Sequence, residues 1–125
     1  MVISIVITNF MVSKVLINQG SFTYILYWKT FQRLEVSLDT IQPHYGERME
    51  TRGYVDLMTT FGKGKPSQSF TVRYLIVDVD TSYFALISRK KLNELEAIVS
   101  TPHLKMKFPT LTGEIIIVKA DQKQA

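Results

Sequence analysis

Val2 to Ile7 and Val12 to Ile17 are both rich in β-branched residues, and Asn9-Phe10-Met11 lies between them where a turn belongs. Two such runs around a short break predict a β-hairpin ending at Asn18. From Tyr24 to Leu34 the pattern changes: Tyr24, Ile25, Trp28, Phe31 and Leu34 recur at steps of three and four and so share one helical face. Ser21 or Thr23 supplies an oxygen to cap that helix.

Residues 39 to 53 hold Pro43, Gly46 and Gly53 among charged side chains, which reads as a loop or hairpin tip. Tyr54 to Phe61 and Ser69 to Val77 then pair across a turn containing Gly62, Gly64 and Pro66. The Gly-Lys-Gly-Lys of that turn lacks the spacing and the Lys-Ser/Thr ending of a phosphate-binding loop, so a plain hairpin turn is the reading. A polar turn at Asp78 to Ser82 leads into the apolar run Tyr83 to Ile87. From Arg89 to Val99, Leu92, Leu95, Ile98 and Val99 predict a second helix, with Lys90, Lys91 and Glu94 spaced for surface pairing. Leu104 to Phe108 and Glu114 to Lys119 form a third hairpin around Pro109 to Gly113.

With 125 residues, 46% hydrophobic and 21% charged, the chain has the balance of one packed domain, residues 1–125. The opening apolar run is far short of a bilayer span and lacks the flanks of a signal peptide. The absence of cysteine excludes a disulfide framework and fits a reducing compartment, with the cytosol as the default. The net charge of +4 permits attraction to phosphate, but the densest cluster, Arg89-Lys90-Lys91, and the weaker Lys63 and Lys65 are not interleaved with aromatics. A solvated charged face is the better reading, and nucleic acid is not an expected partner.

The chemistry-bearing residues are few. His44 and His103 have no partners at metal-ligand spacing, no Gly-x-Ser-x-Gly elbow is present, and dinucleotide fingerprints are missing, so neither metal nor cofactor is expected. What remains is Lys14 to Ser21, "KVLINQGS", a β-branched run that stops at an amide, a glycine and a hydroxyl. Changing Asn18 to Asp would turn it into an aspartic protease motif.

On these residues the chain resembles the retropepsin-type aspartic protease domain of plant gypsy-type LTR retrotransposon polyproteins. That family runs from a Val-Leu-Ile or Val-Leu-Val strand into Asp-x-Gly-Ser-Ser, and here Val15-Leu16-Ile17-Asn18-Gln19-Gly20-Ser21 stands in its place. The likeness continues through Glu50 to Gly62, Val72 to Arg89 and Leu92 to Thr110, so it covers nearly the whole chain. It implies a mainly β, closed retropepsin-like barrel with two short helices, cut from a longer polyprotein. It also implies a homodimeric endopeptidase in which two carboxylates, one per chain, share a proton and activate water between them. The exposed apolar edge of Glu114 to Val118 is the expected interface.

Gly20 and Ser21 match the motif, with the glycine expected to allow a tight turn, but Asn18 departs from it. An amide has no basic lone pair at neutral pH and cannot act as general base, so the resemblance implies surviving geometry and lost chemistry. Where the family has Leu-Ile-Gly-Arg-Pro, this chain has Leu86-Ile87-Ser88-Arg89-Lys90, so Ser88 replaces a glycine that can take unusual backbone angles. The stretch Ile41 to Thr51 is short, so the substrate flap, expected to involve Gly46, Arg52 and Gly53, is read as truncated. Two alternatives remain: a peptidase using Asp80 of "VDVDTSY", whose bland reading is a turn carboxylate accepting backbone N–H groups, and a non-enzymatic dimerisation or binding module.

Overall fold

The computed structural model describes residues 1–43, 50–62, 67–93, 98–100, 105–109 and 113–121. The first hairpin joins β1 (Val2–Ile7) to β2 (Phe10–Asn18), with Ile3, Ile5 and Ile7 buried and their neighbours half-exposed. β2 begins at Phe10 rather than Val12, so the turn tightens to Thr8 and Asn9, and Thr8 takes a positive φ of 56°. The pairing shifts register between Ile3 and Ile5, leaving a bulge in β2 around Lys14, whose φ of 53° is also left-handed.

The helix expected over residues 24 to 34 divides in two. Tyr24–Tyr27 is a strand, β3, and only Trp28–Arg33 is helical, α1. Buried Tyr24 and Leu26 alternate with half-buried Ile25 and Tyr27, so the segment satisfies a period of two as well as it satisfies the helical spacing. Strand pairing decides, because β3 lies between two other strands. Neither Ser21 nor Thr23 caps α1; its N-cap is Tyr27, with no side-chain cap.

After a single 3-10 turn at Leu38–Thr40, β4 (Thr51–Phe61) and β5 (Gln68–Val77) form the long antiparallel hairpin. β6 (Ala85–Ser88) leads into α2 (Arg89–Asn93). The second expected helix is therefore short: Ile98–Ser100 forms a strand, β7, where its last turn was placed, because it pairs with β8 (Lys105–Pro109). Glu94 lies outside the described residues, so its pairing with Lys90 and Lys91 does too. β8 pairs in turn with β9 (Ile115–Lys119), giving a small antiparallel sheet of order β7-β8-β9.

The first six strands close into a barrel of order β1-β2-β6-β3-β5-β4. Two of its seams are parallel, β2 with β6 and β3 with β5, so distant stretches of chain are interlocked. Inside sit Leu26, Tyr74, Ile76, Ile87 and the three isoleucines of β1, with Phe31 from α1 and Leu92 from α2 also buried. Burial of large aliphatic and aromatic side chains at about 25 cal/mol per Å² is the main stabilising term. A buried polar pair on the long hairpin is satisfied internally: Thr59 Oγ1 and Tyr74 OH lie 2.7 Å apart.

Candidate active-site turn

Asn18 is the last residue of β2, and its partner in the parallel ladder is Ser88, the last residue of β6. The ends of two strands thus meet at one point. Beyond Asn18 the chain turns back on itself, and the Asn18 Oδ1 accepts the Gly20 backbone N–H at 2.9 Å. That side-chain-to-backbone bond is what an Asn or Asp at a strand end provides. Ser21 extends it: its Oγ accepts the Thr23 N–H at 3.0 Å and approaches the Thr23 carbonyl at 3.2 Å.

Gly20 does not have a left-handed backbone, and a Cβ there would meet only Asn18 Oδ1, at 3.6 Å. Its lack of a side chain is therefore not demanded by the turn within one chain. Ser88 also departs from expectation. Its φ is not positive, so no unusual backbone angle is imposed on the serine. Fully buried, it donates from Oγ to the Ser21 carbonyl at 2.5 Å and accepts the Lys91 N–H at 3.2 Å. The second bond makes Ser88 the N-cap of α2, and the first ties that helix to the Asn18 turn. A serine before the run Arg89-Lys90-Lys91-Leu92 is a helix-start signal that was available in the sequence.

Beside this junction, Ile87 is fully buried and paired with Ile17, and Arg89 is half-buried. The next residue, Lys90, places its ammonium 4.2 Å from the centre of the exposed Phe22 ring. Folding thus gives the basic cluster the aromatic neighbour that its own stretch of sequence lacks.

The expected flap residues fall into three cases. Gly46, like His44 and His103, lies outside the described residues. Arg52 is on β4, but its guanidinium sits 4.2 Å from the centre of the Trp28 ring and 2.7 Å from an Asp78 carboxylate oxygen. Trp28 is itself stacked on Phe31, at 5.6 Å and 14°. Arg52 therefore braces the base of the hairpin, a role with no signal in the local sequence because its partners are remote. Gly53 has a φ of 118°, and a Cβ there would lie 2.3 Å from the Gln42 carbonyl oxygen. That close approach accompanies the antiparallel bridge in which Gln42 and Tyr54 exchange backbone hydrogen bonds at 2.7 and 2.8 Å.

Asp80 is elsewhere. It precedes β6, whereas Asn18 and Ser88 mark the far end of that strand, and its exposed carboxylate lies 3.4 Å from the Lys29 ammonium. The backbone bond expected of it is made by its neighbour: Thr81 Oγ1 accepts the Tyr83 N–H at 3.2 Å.

At the Asn18 turn the arrangement can hold a hydrogen-bonding group rigidly, but the amide cannot exchange a proton as a carboxylate does. Among the described residues with shifted pKa values, none belongs to this turn: Tyr27 and Tyr74 are raised by burial, and Asp56 and Arg73 shift through their mutual hydrogen bond.

The architecture has a counterpart among solved structures. The retroviral protease-like domain of Ddi1 from Leishmania major superposes with a TM-score of 0.74, over 98% of this chain and 96% of that one, at 12% sequence identity. The chain therefore has a retropepsin-like fold, a mainly β closed barrel with two short helices. No family model matches the sequence, and no curated protein does. Among the described residues, no helix is long and apolar enough to cross a membrane.

Proposed function

We propose that this chain is an aspartic endopeptidase-type domain of retroelement origin, part of a longer polyprotein, that pairs as a homodimer around the Asn18 turn and has lost cleavage. One observation carries the reading: at the junction of β2 and β6, where this kind of site needs a carboxylate, Asn18 supplies an amide already engaged with Gly20 N–H. The hydrogen bonds that Ser21 and Ser88 make around the same turn support the reading. A two-fold pairing would bring two amides together and no ionisable oxygen, so a peptide could be held but not hydrolysed.

Homodimerisation is supported by β9, which ends the small sheet. Ile115 and Ile117 are 51% and 47% exposed and alternate with buried Ile116 and Val118. Such an apolar outer face on an edge strand invites a second copy.

The test is cleavage of unfolded peptide substrates at acidic and neutral pH, with and without pepstatin. The wild-type chain should show none, and Asn18→Asp should introduce pepstatin-sensitive activity. Robust wild-type cleavage abolished by Asn18→Ala would overturn the reading, and cleavage lost instead in Asp80→Asn would assign the chemistry to Asp80.

A further inference from the structure

At the other end of β6 from Asn18, β2 extends beyond its barrel partner. β6 pairs with β2 only over Val15–Asn18, and the Phe84 N–H reaches back to the Lys14 carbonyl at 3.0 Å. Upstream of that bond, Phe10–Val12 pairs with β1 on one side, Ser13 enters the bulge, and neither has a strand on the other side among the described residues. A backbone edge of this kind is a template for an added strand. Beside it lies a cavity of about 190 Å³, walled by Phe10, Val12, Leu34 and Phe84. Met11, at the same edge, is 58% exposed.

The groove is also cationic. Lys14 adopts its left-handed backbone at the β2 bulge, a conformation that disfavours a side chain, and its ammonium lies 5.8 Å from the centre of the Phe84 ring. The Arg33 guanidinium, from the last turn of α1, lies 5.8 Å from the same centre. Neither forms an ion pair among the described residues, in contrast to Lys29, Arg52 and Arg73, which do. Both cations lie beside one ring at the mouth of the groove, so a carboxylate brought to that ring meets positive charge that no described acidic group pairs.

We propose that this edge and groove dock an extended acidic segment of another protein. The segment adds as a strand along Phe10–Ser13, a large apolar side chain enters the cavity, and a neighbouring carboxylate meets Lys14 and Arg33. Backbone pairing supplies affinity, while the cavity and the cations select the sequence. The surface is separate from the Asn18 turn, so it does not depend on whether that turn cleaves anything.

The experiment titrates the 15N-labelled chain with an acetylated octapeptide of alternating valine and threonine around a central Phe-Glu-Glu, and with its Phe-Lys-Lys counterpart. Amide shifts should centre on Phe10–Ser13 and Phe84, with the acidic peptide binding roughly tenfold tighter than the basic one. Lys14→Glu combined with Arg33→Glu should invert that preference. Lys14→Gly, which suits the left-handed backbone and preserves the fold, should weaken acidic-peptide binding. The proposal is overturned by the absence of shifts at millimolar peptide, by shifts centred instead on Asn18, or by a preference unchanged on charge reversal. Displacement of the peptide by an oligouridylate from the same amides would equally overturn the assignment to a protein segment.

Discussion

The Ser88 hydroxyl donates to the Ser21 carbonyl across 67 residues of sequence while accepting the Lys91 N–H, so one buried oxygen joins the Asn18 turn to the start of α2. Ser88→Ala removes both bonds and leaves the Ser21 carbonyl without this donor. It should cost about 1–3 kcal/mol in denaturant unfolding. Ser88→Gly, which restores the residue expected by resemblance, should also destabilise, because what matters here is the hydroxyl and not backbone freedom. A more stable Ser88→Gly chain would show that the cap contributes nothing.

Asn18→Asp should leave the turn intact, since a carboxylate oxygen accepts the Gly20 N–H at least as well as the amide does. Peptidase activity, followed by fluorogenic peptide cleavage at mildly acidic pH, should rise by at least roughly a thousandfold over wild type, on the scale of restoring an essential catalytic group. Folded, dimeric but inactive Asn18→Asp protein would direct attention to the hairpin braced by Arg52.

Three glycines should respond differently to alanine. At Gly53 the added methyl would collide with the Gln42 carbonyl in a left-handed backbone, so Gly53→Ala should cost about 3 kcal/mol or more. Gly113→Ala meets no atom but keeps a φ of 87°, for which about 1 kcal/mol is expected. Gly20→Ala is neither crowded nor left-handed and should change unfolding of the single chain by under about 0.5 kcal/mol. Thermal melts of the three variants, read together, check the ranking. If Gly20→Ala instead weakens self-association in sedimentation, the open face at Gly20 belongs to the pairing surface.

Burial holds the Tyr74 hydroxyl far above the ordinary tyrosine range, and the hydrogen bond with Thr59 only partly opposes this. The folded state keeps the phenol neutral while the unfolded chain ionises it near pH 10. Tyr74 therefore favours folding fully below that pH, and the contribution falls away as the pH rises beyond it. Tyr74→Phe should cost about 1 kcal/mol at neutral pH and flatten the alkaline loss of stability. Thr59 retains the Leu57 carbonyl as an acceptor at 3.3 Å, which limits the cost. At the acid end, the Arg73 guanidinium holds Asp56 below the usual carboxylate range, so that exposed pair helps above about pH 4 and fades as the pH falls through the lowered value. A Tyr74→Phe alkaline profile matching wild type would refute this assignment.

The two long hairpins were legible because alternation of buried and exposed residues survives over Val2–Ile7 and over Thr51–Phe61. Tyr24–Tyr27 was not: four residues are too few to separate a period of two from one of 3.6, and the parallel partner that decides the matter, β5, is remote. The same holds for Ile98–Ser100, whose strand character comes from β8. At the site, Asn18, Gly20 and Ser21 could be read as a linear motif. The tie from Ser88 to Ser21 and the role of Arg52 could not, since each is defined by groups brought in from other parts of the chain, Ser21 for one and Trp28 with Asp78 for the other.

The parallel seam between β2 and β6 also constrains how the molecule is made. Asn18 leaves the ribosome before Ser88, yet its ladder partner and the hydroxyl that fastens its turn belong to Ser88. A β1–β2 hairpin can form locally as it leaves the ribosome, but the turn at its end waits until β6 and the start of α2 have been released. A chain interrupted between Ser21 and Ser88 would carry the whole Asn18 motif in its sequence and could not assemble the site.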